Sequence, residues 1–294
     1  MKRYLLVFVS PLLVLLLYAR VFDFEFVWDD WYLVTIPVYT SLDLLAVITT
    51  PGNGVHYLPV RDVTLLLDTL LFGSNAGGFH VASVVWFALA TGLLHLLYRN
   101  LFLRSSIPKV EEHANGLALA CALVFAAHPL QVESVAFVSA RNGILALLFG
   151  VSGLLSYDRF LTRGSRGAYA ASLLLTVAAL LSKQSAVVLP GLLVLLHLHR
   201  VKGDGVARAI RFLAPHLALG AGTAIVHFAV ARSAGIVGSE LSPLAILARL
   251  PRAAFVAEFY VWKFAWPVGL TIEYDLTHML RQRLLFGLGA LLLA

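Results

Sequence analysis

The chain has 294 residues, 60% of them hydrophobic and 13% charged, with a mean hydropathy of +0.86. Repeated apolar runs, set against a hydrocarbon core of roughly 30 Å, exclude a soluble globular class and point to an all-α polytopic membrane protein. The net charge of +6 and pI near 9.6 do not indicate nucleic acid, because Lys and Arg sit mainly between the apolar runs, where membrane topology accounts for them.

Hydrophobic periodicity predicts membrane helices over 4–19, 79–98, 116–127, 144–161, 168–181, 186–198 and 212–231. The third and sixth are short for a full span and are expected to draw in neighbouring polar residues or to tilt little. Lys2 and Arg3 precede the first run, but Tyr18-Ala19-Arg20-Val21-Phe22 offers no small-residue cleavage pattern, so a retained signal anchor is expected. The single cysteine, Cys121, lies within an apolar run, which forbids an intramolecular disulfide and suits a small packing residue. A last run, 284–294, is too short to span alone and reads as part of a longer protein.

Basic residues set the orientation. With the N-terminus cytoplasmic, the inner segments hold Lys2, Arg3, Arg99, Arg104, Lys109, Arg159, Arg163, Arg166, Arg200, Lys202, Arg208 and Arg211, which are 12 of the 22 Lys and Arg. Every distinctive polar motif then falls outside. Two outer regions, about 20–78 and about 232–283, are too large to be turns. The first holds a Pro51-Gly52-Asn53-Gly54 turn signal and an amphipathic stretch, 62–72, in which Val63, Leu66, Leu67 and Leu70 share one helical face suited to the interface. In the second, 253–266 carries Glu258 and Lys263, with Arg249 and Arg252 just before it, and is expected to lie along the interface because a span would put Glu273-Tyr274-Asp275 inside.

Two adjacent carboxylates, Asp29 and Asp30, stand between aromatics in Phe26-Val27-Trp28-Asp29-Asp30-Trp31. Neighbouring negative charges repel and resist apolar burial, so they must be solvated, paired or catalytic.

Phe26-Val27-Trp28-Asp29-Asp30, Leu67-Asp68 with Leu71-Phe72-Gly73, Gly78-Phe79-His80, His128-Pro129-Leu130-Gln131-Val132-Glu133-Ser134-Val135-Ala136, Ser139-Ala140-Arg141-Asn142, Leu181-Ser182-Lys183, and Trp266-Pro267 with Tyr274-Asp275 follow in this order. Nearly the whole of 1–294 thereby resembles the membrane half of the transmembrane and tetratricopeptide repeat-containing O-mannosyltransferases and their bacterial relatives, of the GT-C glycosyltransferase fold, as a single domain. The run from His128 to Ser134 is the most specific piece. The resemblance implies a polyprenyl-phosphate sugar donor, inverting transfer to a protein, lipid or glycan acceptor on the extracytoplasmic face, and no required cofactor, with a divalent cation at Asp29 and Asp30 in some relatives of the fold.

Such chemistry needs a base for the acceptor's proton, a role suited to a carboxylate held above the membrane; Asp29 is placed ahead of Asp30, with Glu133 a further site acid. The leaving lipid phosphate gains charge, which Arg141 and Lys183 at outer helix ends are placed to meet, with His128 and Arg61 as further contacts. Each has a plainer alternative: a solvated carboxylate pair, helix capping around Pro129 for His128 and Glu133, or snorkelling of Arg141 and Lys183 to lipid head groups. His95, His197, His199 and His227 lack ligand spacing, so no metal site is expected.

Two departures bear on the donor: relatives often have Glu where this chain has Gln184, and Asp where it has Gly143. Competing readings are a transporter and a non-catalytic scaffold of an envelope complex. The runs are largely uncharged and show no matching pair of broken helices, against a transporter. High Ala, Leu, Gly and Arg content suggests a prokaryotic plasma membrane.

Overall fold

A computed structural model describes residues 6–51, 56–201, 206–236, 242–271, 274 and 275. Lys2, Arg3, the Gly52-Asn53-Gly54 turn, Lys202, Glu273 and the run 284–294 lie outside the described residues. The described chain is helical with no strand. The helices are α1 (Val9–Leu17), α2 (Asp30–Thr35), α3 (Pro59–Phe72), α4 (Ala76–Phe102), α5 (Ala114–Ala127), α6 (Gln131–Ala136), α7 (Arg141–Arg163), α8 (Arg166–Ser182), α9 (Leu189–Arg200), α10 (Val206–Ser233) and α11 (Pro243–Ala265), with shorter turns between them. Each of the seven apolar runs is helical where described. Among the described residues, three segments, Ala76–Phe102, Val138–Arg163 and Ala209–Ser233, are long and apolar enough to cross a membrane.

The chain divides into two compact units, Met1–Val237 and Gly238–Ala294. In the second, α11 is one continuous helix of 23 residues carrying Arg249, Arg252, Glu258 and Lys263, and it is not among the three apolar spans.

In the first unit, α7 and α8 form a helical hairpin. Gly164 adopts φ +64°, the left-handed conformation that ends α7, and the Ser165 hydroxyl accepts the Ala168 N–H at 3.3 Å to start α8. Leu94, Leu97, Val151, Leu154, Leu180, Leu189 and Leu193 build the main core of this unit. Along α5, Ala114, Ala118, Ala122 and Ala126 are all fully buried, a small-residue stripe that lets the backbone approach its neighbours. Outward, Leu16, Val124, Leu174 and Ile225 are 64–77% exposed, as lipid-facing side chains would be.

Helix α3 buries its charged face and turns most of its leucines outward. Arg61, Asp62 and Asp68 are at most 4% exposed, whereas Leu67, Leu70 and Leu71 face outward. Leu66, expected on the same face as Leu67 and Leu70, is buried. A helix placed against lipid gains by turning its charges inward, provided they find partners there.

A second core, Phe26, Leu33, Val34, Tyr39, Leu65, Phe79 and Val138, fastens the first loop to the starts of α3 and α4. The Phe26 ring meets Phe79 and Trp31 edge-on, each at 5.3 Å. Gly78 is required by packing, since a Cβ there would fall 2.3 Å from Phe72 Cγ.

Candidate active site

Every described polar motif of the first unit gathers at one end of its bundle. His128 follows α5, Arg141 begins α7, and Lys183 follows α8. The connection from α6 to α7, a short 3-10 turn at Val138–Ala140, is the point on which they converge.

Asp30 is fully buried. Its Oδ1 accepts the Ser139 N–H at 2.8 Å, and its Oδ2 accepts Val138 N–H at 3.2 Å and Val27 N–H at 3.4 Å. The first N–H groups of a helical turn have no partner within it, so a carboxylate from the first loop caps the turn before α7 across 108 residues. Burial pushes the Asp30 carboxyl above its ordinary range, neighbouring Asp29 adds to this, and the three N–H donors oppose it.

Asp29 is exposed. The Ser139 hydroxyl donates to its Oδ1 at 2.9 Å. Trp28 before it has φ +51°, a left-handed value uncommon for a bulky residue, and its indole stacks on Phe137 with planes 17° apart and centroids at 6.0 Å. The backbone reversal sets the two adjacent carboxylates in different environments: Asp29 toward solvent, Asp30 into the protein.

Arg141 is fully buried, with partners around its whole guanidinium. Nε donates to Ser83 Oγ at 3.0 Å, Nη2 to the Phe79 carbonyl at 2.7 Å, and Nη1 pairs with Asp68. In this conformation it ties α7 to α3 and α4 and offers no exposed face to a phosphate. Burial raises the Asp68 carboxyl and the arginine opposes this.

Lys183 is half-buried beside the start of α7. A Cβ on Gly143 would lie 3.3 Å from Lys183 Nζ and 3.7 Å from Ser134 Oγ. Burial lowers the Lys183 ammonium, and the charge of exposed Glu133 acts in the opposite direction. Thus Asp30 with Arg141, and Glu133 with Lys183, flank the same connection. His128 is half-buried, with Nδ1 accepting the Leu130 N–H at 3.2 Å, a local turn contact.

Arg61 is 3% exposed and donates through Nε to Asp62 Oδ1 at 2.8 Å. Tyr39 packs on this pair, its hydroxyl raised chiefly by burial. His56 accepts from Gln184 Nε2 at 3.0 Å and is held below its ordinary value by burial and by Arg61 and His227. This neighbouring polar cluster links the start of α3 to the segment after α8.

Among the described residues no group of three or more His, Cys, Asp or Glu is gathered. With Asp30 occupied by three backbone donors, the pair fits a divalent cation poorly. Ser139, Ser83 and Asp68 were not expected in these roles; Ser139 and Asp68 lie inside motifs quoted above, but nothing local in the sequence indicates their partners.

No family model matches the chain, and no solved structure matches it. It is similar to Protein O-mannosyl-transferase TMTC1 of Homo sapiens, 34% identical over 164 residues, which are 52% of this chain and 18% of the relative. Protein O-mannosyl-transferase TMTC2 of Homo sapiens is 27% identical over 172 residues, 53% of this chain and 19% of the relative. Protein O-mannosyl-transferase Tmtc1 of Drosophila melanogaster is 27% identical over 136 residues, 46% and 15%. The chain thus spans less than a fifth of the length of these curated relatives.

Proposed function

We propose that this chain, whose curated relatives are named protein O-mannosyl-transferases, forms the membrane-embedded part of a glycosyltransferase. It would move a sugar from a polyprenyl-phosphate donor to a protein acceptor with inversion. The observation that carries this reading is the asymmetry of the aspartate pair: Asp30 buried among backbone donors and Asp29 exposed, with one oxygen held by Ser139.

Asp29 is the base. With Oδ1 oriented by the Ser139 hydroxyl, its other oxygen takes the acceptor hydroxyl proton as the acceptor oxygen attacks the anomeric carbon from the face opposite the lipid phosphate. Asp30 positions Asp29. Lys183, with an ammonium beside Gly143, offsets the charge that grows on the departing phosphate, and the charge of Glu133 favours the protonated form against the burial that opposes it. His128 is a further contact for the donor, Arg61 stays buried against Asp62, and Arg141 holds α7 to α3 and α4. No cofactor enters the proposed step. The setting is a prokaryotic plasma membrane, N-terminus cytoplasmic and aspartates extracytoplasmic.

The test is transfer from radiolabelled polyprenyl-phosphate mannose to acceptor peptides by the purified full-length protein, comparing the native sequence with Asp29→Asn. Loss of transfer by 10²-fold or more, with membrane yield and donor binding kept, is expected of a lost general base. Unchanged turnover in Asp29→Asn and Asp30→Asn would remove the enzyme reading and favour a scaffold.

A further inference from the structure

We propose that the bundle end opposite Asp29 and Asp30 carries a second site, a cavity of about 450 Å³ that binds a phosphate-bearing group through Arg104, Arg159 and Arg163. This site is independent of the sugar-transfer reading.

Helices α4 and α7 both begin at the aspartate end, where Phe79 and Arg141 meet. The 23 residues of α7 then rise about 33 Å, close to the thickness of a hydrocarbon core. The cavity opens at the far ends of these two helices, and its volume falls within the roughly 300–1,000 Å³ of small-molecule sites.

The three arginines are exposed, so their guanidinium groups are accessible to a ligand. The acid in the lining, Asp158, is already neutralised. Its Oδ1 pairs with Arg200 Nε at 2.5 Å, and its Oδ2 accepts from Asn100 Nδ2 at 3.5 Å. Arg200 also donates through Nη2 to the Asn100 carbonyl at 3.0 Å, which fixes the wall behind the cavity. The Arg200 side chain is 2% exposed and its Nη1 is buried without a hydrogen-bond partner among the described residues. An arginine of this kind keeps the wall from becoming anionic.

Within the lining itself, opposing charges are weaker. The carbonyl ends of two helices contribute roughly half a negative charge each, which three full positive charges exceed. Glu111 and Glu112 line a neighbouring cavity that shares Leu103 with this one. What remains is a concave cationic site, and guanidinium groups match phosphate oxygens in paired hydrogen bonds. Two sources present such a group at this depth: a phospholipid head group, as basic pockets between membrane helices accept, or a soluble phosphate ester.

Native mass spectrometry of the detergent-purified chain tests this, titrating phosphatidylglycerol, phosphatidylcholine and inorganic phosphate. The comparison is among the native sequence, the double variant Arg159→Gln with Arg163→Gln, and Arg20→Gln near the other end. Helical content by circular dichroism checks folding. The expected result is a phosphatidylglycerol adduct that falls at least tenfold in the double variant and persists in Arg20→Gln. Displacement of that adduct by inorganic phosphate, or a phosphate adduct alone, with the same dependence on the arginines, identifies a soluble source and also supports the site. Should the double variant misfold, Arg104→Gln is read in the same way. Equal binding of every probe by native and variant chains, or no binding of any, overturns the proposal.

Discussion

Asp30 and Ser139 stand 109 residues apart in the chain, and the Ser139 N–H meets Asp30 Oδ1 at 2.8 Å. The same residue's hydroxyl meets Asp29 Oδ1 at 2.9 Å. One serine thereby reaches both carboxylates through different groups, and substitution separates the two contacts.

Ser139→Ala removes the hydroxyl and keeps the backbone donor to Asp30. Transfer is expected to fall roughly ten- to a hundredfold, in line with about 1.5–3 kcal/mol for a hydrogen bond to a charged group, while the melting temperature stays near native. Ser139→Thr should restore much of the rate. A fall in kcat that Thr does not rescue would argue against positioning through the hydroxyl.

Arg141→Ala is expected to act on folding before it acts on chemistry. It leaves Asp68 buried without its partner, a loss on the order of 3–5 kcal/mol. Arg141→Lys should not rescue, because a single ammonium cannot reach Ser83 Oγ, the Phe79 carbonyl and Asp68 together. Size-exclusion profiles after membrane extraction measure this. Native yield of Arg141→Ala with lost donor binding would instead place the guanidinium on the ligand.

Donor affinity should show an alkaline limb set by Lys183. Burial lowers its pKa from the ordinary value of about 10.4, with Glu133 opposing. The attraction for phosphate is complete below the lowered pKa and lost as pH rises through it. Between that value and 10.4 the unfolded chain binds more protons, so stability rises with pH in the same window. KM for the donor measured against pH should therefore climb earlier than an ordinary lysine allows, and Lys183→Arg should shift the limb upward. A native alkaline limb no lower than that of an ordinary lysine, about 10.4, would exclude this role.

Gly143→Asp tests the same ammonium from the opposite side. A carboxylate at this position, with Cβ placed 3.3 Å from Lys183 Nζ, would pair with it and sit in the first turn of α7, where negative charge is favoured by about 0.3–1 kcal/mol. The variant should melt at or above the native temperature and bind donor more weakly. Tighter donor binding would mean that Lys183 does not face the phosphate.

The sequence by itself determined the membrane class, the positions of the seven apolar helices where described, and the motifs that gather at one end of the first unit. These are local properties: apolar length, periodicity and the punctuation supplied by Gly164 and Ser165. It also separated Asp29 and Asp30 from the background, because adjacent carboxylates beside an apolar run demand an explanation. Tertiary structure alone decided what each charge does. Arg141 and Lys183 look equivalent as cations at helix ends, but Arg141 is enclosed by Asp68, Ser83 and Phe79 while Lys183 remains half-buried beside Gly143. Helix α3 reads as an interfacial helix from its leucines, and only its neighbours reveal that the buried face is the charged one. The reason is that a charge's role depends on the partners and solvent around it, and those partners lie on helices distant in sequence that meet only when the bundle packs.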